Sequence, residues 1–207
     1  MMKLVVFGAS SASGKLLVEK ALAKGDEVTA FVRDESKLGM THSNLKVVCG
    51  DALDPVQVEE AVNGKDAVLS TLGPKGKPAV MAAQSTKHII DAMERNHVKR
   101  LVVVSVAGVA VTQDHRKKNF IDGLLKFLLK DLFIDRENQL ALLQASQLEW
   151  VAVRVSRLID RPANASVKAF FGTPSPSLKV SRDDLADFML EQLTSDQWLR
   201  QAPIIGN

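Results

Sequence analysis

Seven consecutive residues carry the clearest chemical signal in this sequence: Gly8-Ala9-Ser10-Ser11-Ala12-Ser13-Gly14. They follow a β-branched and aromatic run, Lys3 to Phe7, and precede apolar residues at helical spacing, Leu16, Leu17, Ala21 and Leu22. A small-residue turn between a strand and a helix is where unpaired backbone N–H groups and the positive end of the helix dipole can receive a diphosphate without a basic side chain. Gly8 permits the tight turn and Gly14 lets the helix lie close to the strand. Ala12 belongs to the same cradle, and Ser10, Ser11 and Ser13 offer hydroxyls to phosphate oxygens. In the pattern G-x-x-G-x-x-G the middle glycine falls on Ser11, whose Cβ pushes a bound diphosphate outward unless the loop adjusts. A plain strand-to-helix turn also favours small residues, so the loop alone leaves two readings open. A Walker A loop is excluded, because Lys15 is followed by Leu16 and Gly8 lies one residue too far from Gly14.

The ends of the following strands narrow the choice. The second strand, Glu27 to Val32, runs out into Arg33-Asp34. A site for NAD carries an acidic residue there to hold the ribose hydroxyls. Arg33, followed by Lys37, instead favours the extra 2′-phosphate of NADP(H), which a guanidinium can grip in a fork. The alternative is a solvated Arg33 paired with Asp34. Gly50-Asp51-Ala52 follows the third strand, where Asp51 can accept from an adenine amino group. Thr71-Leu72-Gly73 follows the fourth, where Gly73 lets backbone approach a nicotinamide ribose. Ligands of open α/β sheets bind outside the carboxyl ends of the strands, where all these positions converge.

Strands alternate with helices along the rest of the chain. Leu45 to Val48 reads as the third strand, Ala67 to Thr71 as the fourth, Arg100 to Val104 as the fifth and Trp150 to Val155 as the sixth. Asp54-Pro55 marks a helix start, with Asp54 as N-cap. Pro78 to Asn96 reads as a long helix. Val180 to Leu193 reads as the last, with Ser181 as its N-cap. This rhythm predicts a Rossmann-type, doubly wound α/β fold around a mainly parallel sheet, one NAD(P)-binding domain over residues 1–207. Of 207 residues, 46% are hydrophobic and 25% charged, which excludes a disordered chain. A single cysteine excludes a disulfide framework and a Cys-rich zinc site, and fits a cytoplasmic protein. No apolar run is long enough to span a membrane. A net charge of +3, from 27 basic and 24 acidic residues, is too even to argue for nucleic acid.

Taken in order, Leu4-Val5-Val6-Phe7-Gly8-Ala9-Ser10, Val28-Thr29-Ala30-Phe31-Val32-Arg33-Asp34, Val47-Val48-Cys49-Gly50-Asp51-Ala52, Asp66-Ala67-Val68, Val102-Val103-Val104-Ser105, Trp150-Val151-Ala152-Val153-Arg154 and Asp183 to Leu190 resemble the atypical short-chain dehydrogenase/reductases. Within that group the chain looks most like the biliverdin-IXβ reductase / flavin reductase family. The resemblance implies NADPH-dependent reduction of a flavin (FMN, FAD or riboflavin, as substrate rather than tightly bound cofactor), a linear tetrapyrrole or a quinone. It implies that Arg33 meets the 2′-phosphate, Ser10 to Gly14 the diphosphate, and Ser105 the nicotinamide and substrate. Val155 and Ser156 would line the nicotinamide pocket, and Arg157 would stand as a polar group over the substrate. Ser105 and Arg157 are thus the candidate catalytic residues. The expected partner is a small molecule, and the expected state a monomer.

The composition also restricts the reaction. Carbonyl reduction by a Tyr–Lys pair needs a tyrosine, and this chain has none. A conjugated acceptor dispenses with that acid, since it spreads the incoming negative charge and can take a proton from solvent or a nearby cation. The same absence, with Ser11 in the loop and an apolar stretch at Phe120 to Phe133, fits a second reading, a non-catalytic NADP-binding redox sensor. Residues 112–133 read as a polar loop and an amphipathic surface helix, or as a flap over the site. Asp135-Arg136-Glu137 reads as the exposed start of a helix over Asn138 to Gln144, with a cleft-mouth Arg136 as the alternative. Cys49 reads as a small core residue. His42, His88, His97 and His115 lack metal-ligand spacing, and no metal is expected.

Overall fold

The computed structural model describes residues 1–73, 81–114, 129–164, 166–173 and 177–206. Its architecture starts from strand β1 (Lys3–Phe7), which is buried on both faces. Leu4 and Val6 point into one apolar cluster, Val5 and Phe7 into another, and all four are fully buried. Each such side chain contributes about 2 kcal/mol by leaving water. The chain then alternates through α1 (Ala12–Ala23), β2 (Glu27–Val32), β3 (Leu45–Cys49), α2 (Pro55–Val62), β4 (Ala67–Ser70), α3 (Ala82–Arg95), β5 (Arg100–Val106), α4 (Lys130–Ala145) and β6 (Glu149–Val155). Short strands β7 (Leu158–Ile159), β8 (Lys168–Phe170) and β9 (Val180–Ser181) lead to α5 (Arg182–Glu191) and β10 (Ile204–Gly206).

Eight strands form one sheet in the order β3-β2-β1-β4-β5-β6-β10-β8, and β7 pairs with β9 apart from it. Every neighbouring pair in the large sheet is parallel except β10 with β8. The sequence order reverses between β1 and β4, so a crevice opens at their carboxyl ends. Leu17, Val18 and Ala21 of α1 pack with Leu185 and Met189 of α5 on one face. Val58 of α2, Ile89 and Met93 of α3 and Leu143 of α4 cover the other. The expected Rossmann-type fold is the fold observed.

Local chemistry accounts for the helix starts. Asp54 Oδ1 accepts from the N–H groups of Val56 and Gln57, with Pro55 in the first turn. Ser181 Oγ accepts from Asp184 N–H at 2.8 Å. Helix α1 begins at Ala12 rather than Lys15, so the second half of the glycine-rich loop is already helical. The last helix starts two residues later than expected, because Val180 and Ser181 pair with Leu158 and Ile159.

Three expectations are corrected. Asp135-Arg136-Glu137 does not open a helix; it lies inside α4, with Asp135 and Arg136 buried. The cause is tertiary: both side chains have partners on other elements, so charge here marks a buried junction rather than solvent. Cys49 is exposed, because it ends edge strand β3. None of the strands β7 to β10 is among the expected elements, and Arg154 in β6 makes an unexpected buried ion pair. Its guanidinium meets the Asp114 carboxylate in two bonds of 2.7 Å, both side chains being 1% exposed. It also donates to the carbonyls of Val109 and Ala202, each at 2.6 Å. Of the 112–133 segment, Thr112 to Asp114 form a short 3-10 turn and Lys130 to Phe133 begin α4. Residues 115–128 lie outside the described residues, as do 78–80 at the expected start of α3.

Candidate functional site

Gly8 leaves β1 with φ +78°, and a Cβ there would press on the Thr71 hydroxyl and the Thr71–Leu72 backbone. A Cβ on Gly14 would overlap the Gly8 carbonyl and the Ala9 backbone. Both glycines are therefore required by close approach. Ser11 stands at the N-cap of α1, where its Oγ accepts from Gly14 N–H at 3.0 Å. The same oxygen lies 3.2 Å from Thr71 Oγ1, which in turn is 3.1 Å from the Gly8 carbonyl. The satisfied arrangement runs one way: Gly14 N–H to Ser11, Ser11 O–H to Thr71, Thr71 O–H to Gly8. Ser11 thus supplies a cap and a cross-link where the glycine pattern has no side chain. The N–H groups of Ala12 and Ser13 remain without an intrahelical acceptor at the positive end of α1.

At the neighbouring strand end, Asp34 is engaged without Arg33. Its carboxylate accepts from the Ser36 N–H and hydroxyl and pairs with Lys37 Nζ at 3.1 Å. The Ser36 hydroxyl, then Lys37, hold this carboxyl below its ordinary range. Arg33 is exposed, and among the described residues it makes no ion pair. Asp51 is exposed as well; its Oδ1 accepts from Leu53 N–H at 3.0 Å. The Phe31 ring packs on Phe7 at 4.9 Å and fills the space a Cβ on Gly50 would need. The Nδ1 atom of His88 lies 3.2 Å from the Ala52 carbonyl.

These elements enclose a cleft of ≈ 240 Å³. Gly8, Ser10 and Ser11 form its middle, Arg33, Asp51 and Ala52 one end, and Leu72 and Gly73 the other. Phe31, Thr71 and Met81 line it too and were missed as site residues. A clue to Phe31 was its place as the penultimate residue of β2, beside Gly50. Ala12, Ser13 and Gly14 lie behind the rim, in the first turn of α1. Ser105, Val155, Ser156 and Arg157 do not line the cleft. They lie at the ends of the next two strands, with Ser105 in register with Arg154 and Ala107 N–H bonded to the Val155 carbonyl. Ser105 and Val155 are buried, while Ser156 and Arg157 are exposed.

Behind the β4 end, α4 contributes two charged side chains. Asp135 accepts from the N–H groups of Ala82 and Ala83, both at 2.9 Å, and so caps α3 from a distance. Arg136 donates to the carbonyls of Leu72 and Val104 at 3.0 and 3.1 Å. Among the described residues no group of three His, Cys, Asp or Glu side chains could hold a metal ion, and no helix is long and apolar enough to cross a membrane.

A doubly wound parallel sheet with a glycine turn and helix N-terminus at its switch point defines a dinucleotide-binding protein of the Rossmann class. A sequence profile described as NAD(P)H-binding matches residues 8–196, and the chain belongs to that family. Among solved structures, a short-chain dehydrogenase/reductase from Veillonella parvula in complex with NADP superposes with TM-score 0.82 at 16% identity, covering 100% of this chain and 94% of that one. An anaerobilin reductase from Escherichia coli O157:H7 superposes with TM-score 0.78 at 20% identity, covering 98% and 96%. These likenesses show the shared fold. An uncharacterized protein of Mycobacterium tuberculosis is 24% identical over 173 residues, 84% of this chain and 17% of that protein. The chain thus spans less than a fifth of the length of the curated relatives it matches.

Proposed function

We propose that the chain is an NADPH-dependent reductase that passes hydride to a flavin or a similar conjugated acceptor, a linear tetrapyrrole or a quinone. The observation that carries the cofactor choice is Arg33, an exposed guanidinium on the cleft whose neighbouring carboxylate is already taken by Lys37. The residues fit the group: Gly8 and Gly14 leave no room for side chains, and the first turn of α1 leaves N–H donors for a diphosphate. Arg33 would hold the 2′-phosphate and Asp51 the adenine amino group, with Phe31 as an apolar wall. Leu72 and Gly73 would guide the ribose toward Ser105, which would hydrogen-bond the nicotinamide amide or the acceptor. Val155 and Ser156 would close the far side, and Arg157 would meet charge developing on the acceptor.

When bound, NADPH supplies the hydride. The chain supplies proximity, orientation and a partly dry surface. With no tyrosine in the sequence, the acceptor's proton would come from solvent or a nearby cation, which suits an acceptor that delocalises charge. That one of the structural neighbours is named an anaerobilin reductase supports the tetrapyrrole branch of this reading. The cytoplasm, with its supply of NADPH and reduced thiols, is the matching compartment.

The test is to mix purified protein with NADPH and FMN, FAD, riboflavin, biliverdin or a quinone, and to follow the near-ultraviolet absorbance of NADPH. Consumption with at least one acceptor, slowed in Arg33→Ala at subsaturating NADPH, is the expected result. Tight NADP(H) binding without consumption across all acceptors replaces the reductase with the redox-sensor reading.

A further inference from the structure

The cleft ends on the β4 side at Leu72 and Gly73, and directly behind it lies a charge with no function assigned above. Arg136 is 3% exposed. Its Nη2 donates to the Leu72 carbonyl, and its Nη1 to the Val104 carbonyl and, at 2.9 Å, to Gln139 Oε1. Its Nε is buried with no acceptor. Every acceptor it reaches among the described residues is thus an uncharged oxygen. The adjacent carboxylate is committed elsewhere: both Asp135 oxygens hold the N-terminus of α3. Burial pushes the Arg136 guanidinium below its ordinary value, and Asp135 works against that shift, but an arginine stays charged at neutral pH.

The contrast with Arg154 is informative. That arginine is equally buried, and Asp114 neutralises it through two hydrogen bonds. Among the described residues Arg136 is in ion-pair contact with no carboxylate, Asp135 acting on it only from a distance; a buried charge held this way is costly, and a fold that keeps one at a cleft is a candidate for function rather than stability. Its position says which function. Leu72 and Val104 sit at the carboxyl ends of β4 and β5, and Ser105 follows Val104. With the diphosphate at the β1 turn and the adenosine toward β2 and β3, the other half of a dinucleotide extends over these strand ends.

We propose that Arg136 makes the site discriminate between the two redox states of its cofactor: the buried guanidinium behind Leu72 and Val104, in ion-pair contact with no carboxylate among the described residues, disfavours a cationic nicotinamide, so that NADPH is held more tightly than NADP⁺. The inference rests on the NADP(H) reading of the cleft. The two ligands share their adenosine, 2′-phosphate and diphosphate and differ by one positive charge on the ring. Their affinity ratio therefore isolates this end of the site. The expected ratio is on the order of tenfold, which corresponds to about 1.4 kcal/mol of charge repulsion. A protein built this way rests loaded with the reduced cofactor and lets the oxidised one go.

Arg136 is a specificity-determining residue that acts through its charge, and the test separates charge from scaffolding. Isothermal titration measures NADPH, NADP⁺ and the ring-free fragment adenosine 2′,5′-bisphosphate against the wild type, Arg136→Gln and Arg136→Lys. Glutamine keeps a donor and removes the charge; lysine keeps the charge and gives up the fork. The expected result is a wild-type preference for NADPH on the order of tenfold, retained in Arg136→Lys and reduced to about twofold or less in Arg136→Gln, with the fragment binding all three alike. Equal wild-type affinities overturn the inference, as does a preference undiminished in Arg136→Gln or a parallel shift of all three ligands. Should Arg136→Gln fail to fold, the wild-type ratio and its survival or loss in Arg136→Lys decide. Affinity for neither NADPH nor NADP⁺ sinks the reading of the cleft itself, a result distinct from equal affinity for both.

Discussion

The hydroxyl of Ser11 lies 3.2 Å from the hydroxyl of Thr71, joining the N-cap of α1 to the end of β4 across sixty residues of sequence. That contact ties the glycine-rich turn to the end of the neighbouring strand. It explains how a serine is accommodated in place of the middle glycine: the side chain is drawn sideways into a hydrogen-bond chain that ends on the Gly8 carbonyl.

Removing either hydroxyl is expected to weaken both the turn and the site. Ser11→Ala loses a helix cap and is predicted to destabilise by about 1 kcal/mol. Thr71→Val leaves the Gly8 carbonyl only the Ser11 N–H and takes away the acceptor of the Ser11 hydroxyl, and is predicted to cost about 1 kcal/mol. In urea unfolding the double variant should be less than additive, by about 0.5 kcal/mol or more. Strict additivity would remove the Ser11–Thr71 bond from the account.

Arg33→Ala is expected to raise the Michaelis constant for NADPH by about tenfold or more and to leave that for NADH nearly unchanged, because only NADPH carries the 2′-phosphate. Equal effects on the two cofactors in steady-state kinetics would withdraw that assignment. Stability should change little, since Arg33 is exposed.

The Asp114–Arg154 pair gives a prediction about acid. Burial works to raise the Asp114 carboxyl, but the Arg154 bonds and the N–H groups of Val111 and Gly172 outweigh it and hold the carboxyl at about 2, below its ordinary 3.8. A depressed folded value means stability that is complete above the unfolded value and is lost as pH falls through the folded one. Fluorescence-detected unfolding should therefore show this contribution disappearing between about pH 4 and pH 2. Asp114→Ala strands a buried guanidinium and is expected to destabilise by about 3–5 kcal/mol at neutral pH. An Asp114→Ala variant as stable as the wild type would show that the pair does not anchor the loop after β5.

Ser105→Ala is predicted to lower turnover several-fold, about threefold to tenfold, with little change in stability. Ser105 is buried at the end of β5, and among the described residues it has no charged partner that would make it a strong acid. Complete loss of NADPH oxidation in this variant would reveal a proton donor or nucleophile in place of a hydrogen-bonding group.

Much of the framework could be read without coordinates, and the reason is locality. The β1 strand, the Gly8-to-Gly14 turn, the Asp54-Pro55 helix start and the Ser181 cap depend on residues a few positions apart. Strand β10 depends on its partner β6 and carries no signal in its own few residues. Alternation of short apolar runs with helical spacing therefore determined the doubly wound sheet, and with it the strand ends where Gly8, Arg33, Asp51 and Gly73 meet. Tertiary structure alone decided what the buried charges of Asp135, Arg136 and Arg154 do. Asp135 and Arg136 look like a solvated helix start until residues 32 to 64 positions away supply their partners. Arg154 looks like one more strand residue until Asp114, 40 positions earlier, closes on it. A charge is indifferent to its neighbours in sequence; its role is set by whatever folding places within a few ångströms of it and by the water that folding takes away.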